Sequence, residues 1–77
     1  MQSRDIVFEV LTYNPTNDPD LGDTTDELSI MLDIHGNTVG YDLWALRRML
    51  YPVEYAKDSE GARRWWRTVP TKSYSKD

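Results

Sequence analysis

The stretch VEYAKDSEGARRWWRTV, residues 53–69, decides the architecture because it reads two ways. As a helix, Ala62, Trp65, Trp66 and Val69 fall at i, i+3, i+4 and i+7 on one face, with Arg63, Arg64 and Arg67 opposite. Asp58 or Ser59 would cap its start and Pro70 would stop it. As a hairpin, Lys57-Asp58-Ser59-Glu60-Gly61 would be the loop between strands VEYA and RRWWRTV. The four-point periodicity favours a helix over residues 59–68.

Upstream, DLWALRRMLY (42–51) reads as a helix. Asp42 can serve as its N-cap. Leu43, Leu46 and Leu50 recur on one face beside Met49, and Trp44, Arg47 and Arg48 lie off it. Arg47 and Arg48 suit the negative end of the helix dipole, and Pro52 ends the element. LSIMLDI (28–34) alternates like a strand, with Leu28, Ile30, Leu32 and Ile34 on one face. His35-Gly36-Asn37 offers a turn and Thr38–Tyr41 a short returning strand. DIVFEVLTY (5–13) is rich in β-branched and aromatic residues and reads as another strand, ended by Asn14-Pro15. Between the two longer strands, residues 14–27 carry two prolines, a glycine and many Asp, Asn and Thr residues, which makes an acidic loop.

The expected fold is therefore one α+β domain over residues 1–77. A small antiparallel sheet of two to three strands packs against two short helices, with a frayed polar tail over 70–77. Leu28, Ile30, Leu32, Ile34, Leu43, Leu46, Leu50 and Trp65 form the expected core. The length of 77 residues admits one core and no second one. Three Trp, five Tyr and one Phe supply the apolar area for it.

Several function classes are disfavoured. No apolar run approaches the roughly 20 residues that span a bilayer, and the N-terminal segment lacks the order of a secretory signal. A cytoplasmic location is expected. With no cysteine, there is no disulfide framework, thiolate zinc site or thiol nucleophile. The four glycines are scattered and form no phosphate-binding loop. The lone histidine, His35, sits in the expected turn with no partner in sequence, and no serine has a nucleophile-elbow context. Asp18, Asp20 and Asp23 offer hard oxygen ligands, but counting from Asp18 puts Gly22 where a calcium loop needs an acid and Ser29 where it needs Glu. No catalytic residue, metal ligand or cofactor is expected, and no motif names a family.

The net charge of −4 conceals a division. Residues 1–43 carry nine acids against one base, a charge of −8. Residues 44–77 carry eight bases against four acids, a charge of +4. Either the halves neutralise one another on packing or each presents a charged surface. The two candidate surfaces are the acidic loop, with Asp18, Asp20, Asp23 and Asp26, and the basic aromatic segment, with Arg63, Arg64, Trp66 and Arg67, followed by Lys72, Tyr74 and Lys76. Trp and Arg are the residue types that anchor protein interfaces.

The leading expectation is a non-enzymatic protein-binding module. It would be a small inhibitor or accessory protein that occupies a functional surface of a larger host protein or nucleic-acid-processing complex. Size and composition suit a phage or mobile-element product acting in a host cytoplasm. One alternative is a nucleic-acid-binding module built on the basic aromatic segment. Another is a homo-oligomeric structural or assembly subunit.

Overall fold

Residues 53–67 fold as the hairpin and not as the favoured helix. In the computed structural model, which describes residues 2–70, β1 (Val53–Lys57) and β2 (Arg63–Arg67) pair antiparallel, from Val53 opposite Arg67 to Lys57 opposite Arg63. The turn chemistry explains the outcome. Asp58 Oδ1 accepts the backbone N–H groups of Glu60 and Ala62, each at 2.9 Å. The Asp58 N–H donates to the Ala62 carbonyl at 2.8 Å. Gly61 takes a left-handed φ of +85°, which closes a short hairpin loop at no steric cost. Successive strand residues point to opposite faces. Trp65 and Trp66 are 1% and 2% exposed, so both faces of β2 are covered.

Three helices precede the hairpin: α1 (Ser3–Val10), α2 (Thr25–Leu32) and α3 (Gly36–Arg48). The expected strand at 5–13 is therefore mostly α1. Its buried residues, Val7 and Phe8, and Leu11 just beyond its end fall at i, i+1 and i+4, and α1 packs toward α3. The expected strand at 28–34 is the body of α2 and the turn after it. A reciprocal capping box starts this helix: Thr24 Oγ1 accepts the Glu27 N–H at 3.1 Å, and Glu27 Oε1 accepts the Thr24 N–H at 2.9 Å. Leu28 is buried, Leu32 and Ile34 are half-buried against the core, and Ile30 stands 83% exposed. The expected turn and third strand over 35–41 become the start of α3, where His35 Nδ1 accepts the Asn37 N–H at 3.1 Å. Asp42 is not an N-cap. It is buried within α3 and accepts the Ser3 hydroxyl at 2.6 Å. Leu50, expected in the core, is exposed beyond the end of α3 at φ +64°. There its N–H and that of Tyr51 satisfy the Arg47 and Leu46 carbonyls.

The fold class is α+β, with a two-stranded sheet against helices, three of them in place of two. Val7, Phe8, Leu11, Leu28, Val39, Leu43, Leu46, Val53 and Trp65 make the core on the helix side. The segment between α1 and α2 covers the other side. The backbone of Asp23 exchanges two hydrogen bonds with that of Trp65, each 2.8 Å. The Arg67 N–H donates to Thr12, and the Arg67 carbonyl accepts from Asn14, both at 2.9 Å. Residues 12–14 and 23 thus occupy the edge of β2 that β1 leaves open. A 3₁₀ turn over Pro19–Leu21 lies against both strands. No helix among the described residues is long and apolar enough to cross a membrane. The expected tail, with Lys72, Tyr74 and Lys76, lies outside the described residues apart from Pro70.

Gly22 is where this covering segment touches the sheet. A Cβ there would stand 2.9 Å from Arg64 Cβ, 2.9 Å from Trp66 Cε3 and 3.0 Å from the Trp65 carbonyl oxygen. Gly22→Ala is expected to destabilise the fold by about 1–3 kcal/mol through overpacking. Gly40, inside α3, has nothing within 4 Å of its would-be Cβ. Gly40→Ala is expected to stabilise by about 0.5–1 kcal/mol. Urea denaturation of the two variants checks the opposite signs.

Candidate functional site

Most of the residues expected on binding surfaces are engaged within the fold. Asp18 Oδ1 accepts the Asp20 N–H at 3.0 Å and starts the 3₁₀ turn. Asp20 Oδ1 accepts the Ser59 N–H at 2.8 Å, tying the loop to the hairpin tip. Asp23 accepts the Thr12 N–H at 2.8 Å and the Thr12 hydroxyl at 3.0 Å. Asp26 is exposed in the first turn of α2, where the helix dipole favours it. Trp66 lies beneath the loop and donates its indole N–H to Asn17 Oδ1 at 2.9 Å. Arg67 is buried, donates Nε–H to the Leu11 carbonyl at 3.1 Å and also donates to the Val69 carbonyl. Its guanidinium stands 5.9 Å from the Tyr13 ring.

Arg64 joins the acidic and basic halves. Its Nε–H donates to Asp58 Oδ2 at 2.6 Å, and its Nη1 reaches the Gly22 carbonyl at 2.9 Å and Glu27 Oε1 at 3.1 Å. The Arg64 hydrogen bond, then the Ala62 N–H, hold the Asp58 carboxyl below its ordinary range. The Thr24 N–H does the same for Glu27, aided by the charge of Arg64. Asp58 in turn raises Arg64.

One expected residue, Arg63, remains an exposed cation with no ion pair among the described residues. Its guanidinium carbon stands 5.6 Å from the Trp44 ring centre and 5.5 Å from that of Tyr55. Trp44 meets Tyr55 and Trp65 edge-on, both at 4.9 Å, and Tyr55 and Trp65 lie 4.8 Å apart at a shallow tilt. The cluster therefore runs from the core to the surface. Arg47 stands 5.1 Å from the Tyr55 ring, bonded to the Val53 carbonyl at 2.7 Å and to Glu54 at 2.9 Å.

The outer side of α3 extends this arrangement. Tyr41, Trp44 and Arg48 are spaced i, i+3 and i+7 on one helical face. Tyr41 is 69% and Trp44 36% exposed. Lys57 is exposed opposite Arg63. Sequence reasoning singled out neither Tyr41 nor Lys57 and placed Trp44 only off the core face. The i, i+3, i+7 signal becomes visible once α3 starts at Gly36. Chemically, this face offers aromatic area and guanidinium donors. Among the described residues, no three His or carboxylate side chains gather to hold a metal ion. Comparison with protein-family models, curated proteins and solved structures gives no match to this chain.

The carboxylates around Arg64 link stability to acid. Asp58 and Glu27 ionise more readily folded than unfolded, so their contribution is present above the ordinary values of 3.8 and 4.5. It is lost as pH falls through the lower folded values. Asp58→Asn is expected to lower the thermal midpoint at neutral pH. The gap to the parent should narrow as pH falls below about 4, where Asp58 takes up its proton in the unfolded chain before it does so in the fold. Melting curves across that range check the sign.

Proposed function

We propose that the protein is a non-enzymatic protein-binding module whose docking face is the outer side of α3 together with the hairpin tip. The observation that carries this reading is the stack of Arg63 on Trp44 and Tyr55 beside exposed Tyr41. Interface anchors are typically Trp, Tyr and Arg side chains, which combine large area with directed donors. Here they are held by a braced hairpin and a helix, so little ordering remains to be done on binding. The module acts by occupying a functional surface of a larger protein, as a small inhibitor or accessory subunit.

Three further facts support this reading over an enzyme and over a nucleic-acid-binding module. His35, the lone histidine, uses Nδ1 to cap α3, so that nitrogen is already engaged by the Asn37 N–H. The nucleic-acid alternative draws on Arg63, Arg64, Trp66, Arg67 and Lys72; of these, Arg64 is paired with two carboxylates and Trp66 and Arg67 are buried. A body of net charge −4 also repels a phosphate backbone at long range.

The test is capture from a lysate of the source or host cell with three tagged proteins: the parent, Tyr41→Glu/Arg63→Glu, and Asp26→Asn. Proteins held by the parent and by Asp26→Asn should be lost, by about 30-fold or more in affinity, from the double variant. Circular dichroism confirms that each is folded. Equal capture by the double variant overturns the proposed face.

A further inference from the structure

We infer that the segment received by this face is acidic: a carboxylate-bearing stretch of a partner protein, seated on Arg63, Lys57 and Arg48 and flanked by Tyr41 and Trp44. The inference rests on the docking face proposed above and adds the chemistry of its occupant.

The charges point to it. Lys57 and Arg63 stand directly opposite across the strands, and like charges in that position destabilise a sheet. Neither they nor Arg48 have an ion-pair partner among the described residues. Elsewhere, Arg64 pairs with Asp58 and Glu27 and Arg47 with Glu54, Arg67 donates to backbone carbonyls, and Arg4 on α1 has no ion pair among the described residues. Arg48, Lys57 and Arg63 are three exposed cations beside an aromatic cluster, in a chain whose acids outnumber its bases. An incoming carboxylate would relieve the repulsion between Lys57 and Arg63.

The geometry fits the same occupant. Stacking on Trp44 and Tyr55 restrains the Arg63 guanidinium, leaving a planar edge of N–H donors suited to a carboxylate's two oxygens. Exposed Tyr41, three residues before Trp44 on α3, offers area for an apolar side chain of the same segment. A nucleic-acid strand fits less well. Arg63 already takes a face of the Trp44 ring, so a base stacking there must displace it.

The probe is a short peptide of repeated Glu-Glu-Leu, added to the isotope-labelled chain and followed in nitrogen–proton spectra. A Lys-Lys-Leu peptide and a short oligothymidylate are the comparisons. The acidic peptide should shift the Trp44 indole signal and the amides of Tyr41, Lys57 and Arg63, and bind more weakly as salt rises. Arg63→Glu and, separately, Lys57→Gln should each weaken binding, Arg63→Glu by about tenfold or more. Signals that do not move, or a stronger response to oligothymidylate, overturn the inference. So do the same shifts on concentrating the chain alone, which would place a second copy there. If capture depends on Tyr41 and Arg63 while the acidic peptide moves nothing, the docking face stands and its acidic occupant falls.

Discussion

Two consecutive tryptophans on one strand impose the constraint from which the rest of the structure follows. Trp65 and Trp66 must point to opposite faces of β2, and leaving either large ring in water would forfeit much of a small domain's stability. The chain therefore builds two covers. Helices α1, α2 and α3 form a core that reaches Trp65. The segment between α1 and α2 crosses the other side, bonds to the open edge of β2 and closes over Trp66. Its turn-rich composition serves this path. Gly22 permits close approach, Asn17 takes a left-handed φ of +56°, and buried Asn14 donates to the Asp18 carbonyl at 2.7 Å. A long acidic loop that suggested a binding arm is thus part of the packing.

The same packing accounts for the charge division. Arg64 follows Arg63 on β2 and turns to the loop side, where it meets Glu27 from the acidic half and Asp58 from the hairpin turn. The Asp58 side chain is only 5% exposed, so this pair is less screened than the exposed Arg47–Glu54 pair. Strand alternation sends Arg63 to the face that carries Tyr55, Trp65 and Trp44. The basic segment is thereby split: Arg64 pairs with Glu27 of the acidic half, Arg63 has no ion pair among the described residues, and Arg67 is taken into the interior.

How much of this was legible in the sequence varied by residue. Leu28, Leu43, Leu46 and Trp65 read as core because their burial suits more than one secondary structure. Asp58 through Gly61 held a readable hairpin signal, outweighed by a helical spacing of Trp65 and Trp66 that strand alternation also accommodates once both faces are covered. Thr24 and Glu27 spelled a capping box, but the alternation from Leu28 to Ile34 masked it. Alternation over seven residues is a weak signal when tertiary contacts decide the element. The start of α3 was hidden for a different reason. Gly36 and Gly40 look like turn residues, and His35 is not among the preferred N-caps. The candidate face depended on that start, so Tyr41 went unseen. Arg63 was legible as a surface cation, whereas the burial of Trp66 and Arg67 depended on partners 49 and 56 residues away.

A domain this small gains little from leaving Tyr41 and Trp44 in water or from setting Lys57 against Arg63. Each feature works against solubility or stability. Their placement is nevertheless rigid. Trp44 is wedged against Tyr55 and Trp65, which the core and the loop fix from either side of the sheet, and Arg63 is held by the rings it covers. The double covering of β2 thus does more than bury two tryptophans. It turns the helix-facing side of the hairpin into a stiff platform, and what that platform presents is a cationic, aromatic surface with its side chains already held in place, as the proposed docking role requires.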